Sequence, residues 1–466
     1  MKKMFFDINK IMIGLLLVAA SFASCKKLIE IPQNPPAEIT RQEQFTDSAS
    51  AISAVAGVYT YDTGTGFAYS DGTLTYSTGL SSDELTYTQT DDRQEFYNYT
   101  LTPINSGITS LWSYPYQSIY QVNDVLNGVT NNNGLSASFV KQVTGEMEVV
   151  RALYYFNMVN LFGGVPLVTT TNYAANEHIP RNTAAAIYSQ VFKDLADARK
   201  KLTSAYPSSG RARPNLYTAV ALLAKVNLYQ GNWQNAYNEA DSVIKSGLYS
   251  IADVPLSGVF LDGSNEAIWQ IPAATDYSGV ADAQLFVPYY PGAPLNYLLA
   301  TPLVSAFEAG DQRFQNWVGS AVSGANTTVY YPYKYKDRQP GTPPEDQMIL
   351  RLGEVYLIRA EAAAHLSNLT QALADVNVIR ARAGLAASTA DATSQAAVLN
   401  AVMHERQIEL FCEWGNRWYD LKRTGTAATV LGAEKTGYSA DAALYPIPEA
   451  QIQLDNLLIQ NPGYTN

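Results

Sequence analysis

The chain has 466 residues, with 42 acidic and 31 basic side chains and a formal net charge of −11. Its apolar fraction of 47% is that of an ordinary globular protein and excludes wholesale disorder, while only 16% of residues are charged, against about 25% in a typical soluble domain. An acidic surface so poor in clustered cations argues against nucleic acid as a partner and against electrostatic docking on anionic lipid. Polarity is carried instead by uncharged residues and by tyrosine, which occurs 32 times beside 6 Trp and 15 Phe.

In chain order, Lys2, Lys3 and Lys10 precede an apolar run from Ile11 to Ala20. At about ten residues this run is half the roughly 20 needed to span a bilayer. A charged start, a short apolar core and the small residues after it read as a secretory signal over residues 1–24. Cys25 then stands where the lipobox of bacterial lipoproteins has its cysteine, and the resemblance implies cleavage before Cys25 and acylation of its thiol. Acyl chains contribute about 0.8 kcal/mol per buried CH₂, so several of them anchor a chain that does not span. Residues 25–44, with Pro32, Pro35 and Pro36, read as a tether. The remaining chain, 45–466, reads as a single domain.

Residues 60–104 are rich in Gly, Ser, Thr and Tyr and predict long loops and short strands. Helical spacing of Leu111, Tyr114, Ile119, Val122 and Leu126 predicts a helix over 111–127. A second helix over 145–162 stops at Gly163-Gly164-Val165-Pro166, and a third covers 184–202. Residues 224–247 and 360–383 then repeat one another: Ala224 aligns with Ala360, Asn232 with Asn368, Ala236 with Ala372 and Val243 with Ile379. Each copy is a helix, a polar turn and a second helix with small residues at the crossing, similar to tetratricopeptide helix pairs. Residues 250–345 hold ten of the 22 prolines and again predict loops and short strands. The expected fold is therefore mainly α: tetratricopeptide-like helix pairs form a scaffold over about 105–250 and 346–425, and irregular insertions interrupt it at about 60–104 and 250–345.

Blocks along the chain resemble the SusD/RagB family of Bacteroidetes outer-membrane lipoproteins. They are Gly145–Val168, Arg181–Leu202, Arg211–Tyr249, Arg351–Leu385, Glu405–Gly425 and the tail Tyr445–Tyr464 with its Asn-Pro-Gly-Tyr. The resemblance implies an outer-membrane, lipid-anchored protein facing the extracellular side. It also implies a nutrient-binding role and a SusC-like TonB-dependent transporter as partner. The charged residues of these blocks have a scaffold reading: Arg406, Glu409, Glu413, Arg417, Asp420 and Arg423, with Arg351, Glu354, Arg359 and Glu361, are expected to form a partly buried ion network. Cys412 lies in an apolar helical pattern and is expected to be a buried, inert thiol.

The sequence holds no HExxH, GxSxG, P-loop or dinucleotide fingerprint, and His178, His365 and His404 are far apart. No catalytic residue, metal or cofactor is expected. Binding chemistry is abundant, because aromatic rings stack on the apolar faces of sugars while polar side chains bond hydroxyls. The two insertions supply it: Tyr76, Asp83, Tyr87 and Arg93 in the first, and Tyr289, Tyr290, Tyr297, Trp317 and Tyr331 in the second, with Arg338 closing that segment. The alternation of Tyr331, Tyr333 and Tyr335 equally suits a half-buried strand. The expected ligand is a glycan or oligosaccharide delivered to the transporter. The alternatives are a peptide or other non-glycan nutrient and, as an enzyme, a surface glycoside hydrolase.

Overall fold

The structure, a computed structural model, describes residues 40–59, 67–273, 279–324 and 326–465. The signal segment, Cys25 and the tether up to residue 39 lie outside the described residues.

The 111–127 periodicity belongs to a longer helix, α1 (Ser106–Thr130), and the next to α2 (Ala137–Phe162). Both begin at caps outside their apolar stripes. The Asn105 side chain accepts the Gly107 and Ile108 N–H groups, and Ser136 accepts that of Phe139. Helix α3 (Ala184–Lys201) starts at the Thr183 cap. The repeat is confirmed at the level of helix bounds: α4 (Leu216–Tyr229) and α5 (Trp233–Lys245) answer α6 (Leu352–His365) and α7 (Leu369–Arg382) at an offset of 136 residues. Asn232 and Asn368 occupy the matching N-cap positions. Buried Ala236, Ala240, Ala360 and Ala372 let the axes approach. Helix α5 packs on α6 and so joins the two pairs; α3 packs between α2 and α4, and α8 (Gln395–Glu409) closes the far end on α6 and α7. The result is the stacked helix-pair scaffold that the sequence predicts.

The insertions form three two-stranded antiparallel sheets. Strand β1 (Leu85–Tyr87) pairs with β3 (Tyr297–Leu299), β2 (Ala267–Pro272) with β6 (Asp346–Arg351), and β4 (Val318–Val322) with β5 (Thr328–Pro332). The first insertion departs from the loop expectation. Thr73–Ser81, sequence TLTYSTGLS, is a helix buried along its whole length. Hydroxyl-rich sequences compete with helical bonding in isolation, but here the Thr78 hydroxyl turns back to the Leu74 carbonyl at 2.6 Å, and burial does the rest.

The charged network is more deeply buried than the sequence predicts. Glu409 receives Arg313, Arg351 and Arg382, while Glu413 receives Arg351 and Lys334. Burial alone would raise the Glu409 carboxyl, yet the three guanidiniums hold it far below the usual carboxylate range. Arg406 and Arg423 share Asp420, Arg423 also takes Glu361, Arg359 takes Asp375, and Lys225 takes Glu354. Cys412 is buried, but in the turn between α8 and the helix Asn416–Arg423 rather than in a helix. Its φ of 52° marks a left-handed kink, and its N–H donates to Glu84 at 3.1 Å. The tail is pinned too: Arg181 donates to the Phe162 and Gly164 carbonyls at the end of α2 and to Asn461 Oδ1.

Candidate functional site

Antiparallel pairing of β1 with β3 sets Tyr87 directly opposite Tyr297, with ring centroids 4.9 Å apart. Tyr76, from the helix Thr73–Ser81, lies 5.7 Å from Tyr297, and Phe286 meets the same ring edge-on at 5.5 Å. Arg93 follows β1 by a turn. Its guanidinium sits over Tyr87, 5.5 Å from the centroid, and its Nη1 donates to the Tyr297 hydroxyl at 3.3 Å. Thus four candidates drawn from both insertions, Tyr76, Tyr87, Arg93 and Tyr297, form one cluster.

Asp91, absent from the candidates, organises this cluster. Its carboxylate accepts the Tyr87 hydroxyl at 2.8 Å and the Arg93 guanidinium at 2.8 Å, as well as the Arg93 backbone N–H at 3.0 Å. Desolvation works against the charged form, but these bonds keep the Asp91 carboxyl below its ordinary range. Burial, relieved in part by Arg93, pushes the Tyr297 hydroxyl up to about 12. At neutral pH the cluster is therefore a neutral aromatic floor with one compensated ion pair. The only sequence signal for Asp91 was its two-residue spacing from Arg93, which is shared by many turns.

Tyr289 and Tyr290 stand on the loop between the helix Ala281–Phe286 and β3. They are 77% and 59% exposed, with rings edge-to-face at 6.3 Å. The loop is tied on one side by Thr88, whose N–H donates to the Asn296 carbonyl at 2.9 Å and whose hydroxyl donates to Leu295 at 2.8 Å. On the other side Arg338 lies over Tyr289 at 5.5 Å and donates to the Val287 carbonyl at 2.7 Å. Phe286 touches Tyr297, and Tyr289 follows three residues later, at most about 10 Å of extended chain. The exposed tyrosine pair thus stands on the segment that leads from Phe286 to Tyr297, whereas Tyr87 and Tyr297 themselves are buried.

The other three candidates are placed in the body. Asp83 is 2% exposed and holds Arg417 through two bonds of 2.7 and 2.5 Å. Trp317 is fully buried: its indole N–H donates to the Leu256 carbonyl at 2.9 Å, and Lys334, Arg351 and Arg382 surround its ring. Tyr331 lies across Gly319 on the paired strand. A Cβ there would come 2.2 Å from the ring, so only glycine fits opposite it. Burial consumes these side chains because the inner strands need large residues to fill the space beneath the loops.

A groove of about 790 Å³ opens elsewhere, between residues 251–257, the helix Gln312–Trp317 and α7. Its walls mix aliphatic and amide side chains, among them Val254, Gln312, Asn316 and Val378, with the charged Asp253 and Arg382, and hold no aromatic ring. Among the described residues, no group of three or more His, Cys, Asp or Glu side chains could hold a metal ion, and no helix is long and apolar enough to cross a membrane.

The class of fold is a stacked helix-pair scaffold with two long insertions rich in aromatic side chains. Two family models match it in sequence: one described as "Starch-binding associating with outer membrane" over residues 37–228, and one described as "SusD family" over 306–464. The chain belongs to the SusD/RagB family. It is 24% identical to SusD-like protein P25 of Formosa agariphila, covering 98% of this chain and 99% of that one. Its fold is similar to a SusD superfamily protein from Bacteroides vulgatus, with TM-score 0.76, 20% identity and coverage of 89% and 99%. It is also similar to a laminarin-binding SusD-like protein, with TM-score 0.74, 24% identity and coverage of 90% and 100%.

Proposed function

We propose that the protein is a cell-surface nutrient-binding lipoprotein that holds a glycan or oligosaccharide and delivers it to a SusC-like TonB-dependent transporter. The observation that carries this reading is the exposed Tyr289–Tyr290 pair, on the loop that leads into β3 and so to the ordered Tyr87–Arg93–Tyr297 cluster. Phenol rings left this open to water have a face free for the apolar side of a sugar, and Arg93 and Asp91 stand ready for its hydroxyls. Tyr76 and Tyr297 act behind this surface as its floor. Support for a glycan comes from the family description as starch-binding and from the laminarin-binding relative of the same fold. The same description supports outer-membrane association, with acylated Cys25 as the anchor. Delivery to a transporter rests on family membership. No covalent chemistry is needed for this role, and none is assigned to any residue.

Glycan and peptide arrays probed with the purified protein test the ligand class. Binding to sugars without turnover is expected; binding to peptides and to no sugar refutes the reading. Replacement Cys25→Ala is expected to release the protein from the outer membrane, and retention with normal lipid labelling refutes the anchor.

A further inference from the structure

The two arginines at the aromatic surface differ in charge balance. Arg93 is neutralised by Asp91 at 2.8 Å. Arg338 makes no ion pair among the described residues: its Nη1 donates only to the backbone carbonyls of Ala283, Gln284 and Val287. Its Nε is buried with no partner, and Nη2 makes no hydrogen bond among the described residues. The guanidinium lies over Tyr289, its central carbon 5.5 Å from the ring centroid, and Tyr289 is 77% exposed. Lys336, two residues earlier, also lies over a tyrosine, Tyr333 at 5.7 Å, but its charge is balanced by the nearby carboxylates of Glu345 and Asp337. Two carboxylates accompany this segment, Asp337 within it and Glu345, which accepts the backbone N–H groups of Lys336 and Asp337. On a chain of net charge −11, the Arg338 guanidinium thus has no salt bridge among the described residues and is held in place by three carbonyls.

Resting on the glycan reading above, we propose that the bound glycan is acidic, and that Arg338 pairs with a carboxylate or sulfate on the sugar stacked at Tyr289. A half-buried guanidinium without a partner forms a stronger bond to an anion than to a hydroxyl, and its planar edge matches either group. The acidic remainder of the surface repels a polyanion everywhere else, so recognition is confined to this point.

The test is a glycan array with neutral, uronate-containing and sulfated oligosaccharides, probed with the full chain, followed by titration of the tightest binder. Acidic glycans are expected to lead. The carboxyl-reduced or desulfated form of the same glycan is expected to bind ten- to a hundredfold more weakly, and whichever treatment acts identifies the group. Arg338→Gln is expected to cause a loss of similar size, and Arg338→Lys to restore part of it. Equal affinity for the neutralised glycan, or a neutral glycan at the head of the array, overturns the proposal while leaving the glycan reading intact. Failure of every glycan removes both. The change made on the ligand keeps the test valid even if Arg338→Gln disturbs the loop.

Discussion

The hydroxyl of Tyr69 donates to the backbone carbonyl of Leu111, 3.2 Å away in the core. That carbonyl is the one orphaned by Pro115, which sits inside α1 and has no N–H to return to the residue four places earlier. Tyr69 reaches it from the first insertion with a φ of 72°, a left-handed conformation uncommon outside glycine. The insertion thus completes the hydrogen bonding of the scaffold helix.

Replacement Tyr69→Phe leaves that buried carbonyl unpaired and is expected to cost about 1–3 kcal/mol in urea unfolding. In a Pro115→Ala background, where residue 115 regains its N–H, the same change is expected to cost at least about 1 kcal/mol less. Additive effects in the double-mutant cycle contradict the pairing.

The Asp83–Arg417 bridge makes a second prediction. Arg417→Met strands a buried carboxylate and is expected to destabilise by about 3–5 kcal/mol. Adding Asp83→Asn is expected to recover most of the loss, with glycan affinity unchanged in the double variant. A drop in affinity for the folded double variant returns Asp83 to the ligand surface.

Exposure separates the aromatic candidates. Tyr289→Ala and Tyr290→Ala are expected to change stability by less than about 0.5 kcal/mol yet weaken glycan binding about tenfold each. Trp317→Ala is expected to cost about 3–5 kcal/mol through the cavity it leaves. Calorimetric melts beside titrations read both quantities.

Glu84 predicts a pH dependence. Burial, with neighbouring Asp83, raises its carboxyl to about 8 against the bond from the Cys412 N–H. The folded chain then keeps a proton that the unfolded chain has released above its ordinary pKa near 4.5. Stability from this group is full at low pH and declines between about 4.5 and 8, by up to about 1.4 kcal/mol per pH unit. Glu84→Gln is expected to flatten that decline. Buried Lys422, lowered to about 7 by desolvation, has the opposite sign: its protonated form is favoured in the unfolded chain, so stability rises from about pH 7 towards 10.5. An unchanged pH profile in Glu84→Gln contradicts the first assignment.

The scaffold was legible because its signals are local. The 136-residue repeat, the Asn232 and Asn368 caps and the Gly163 stop each depend on residues within one helix pair. The helix Thr73–Ser81 was not legible, since its hydroxyl-rich composition favours turns and only burial on all sides makes it helical. Cys412 misled for the related reason that an apolar run does not distinguish a buried helix from a buried turn.

The sequence by itself determined the helix-pair architecture, the family and the two segments where aromatic residues gather, because periodicity, capping and composition are carried by neighbours in the chain. Only the tertiary structure decided which of those aromatics face water. Tyr87 meets Tyr297 across 210 residues through β1–β3 pairing, Trp317 and Tyr331 are drawn into the body, and Tyr289 and Tyr290 are left exposed. Exposure depends on what packs above each ring, and those atoms come from distant parts of the chain.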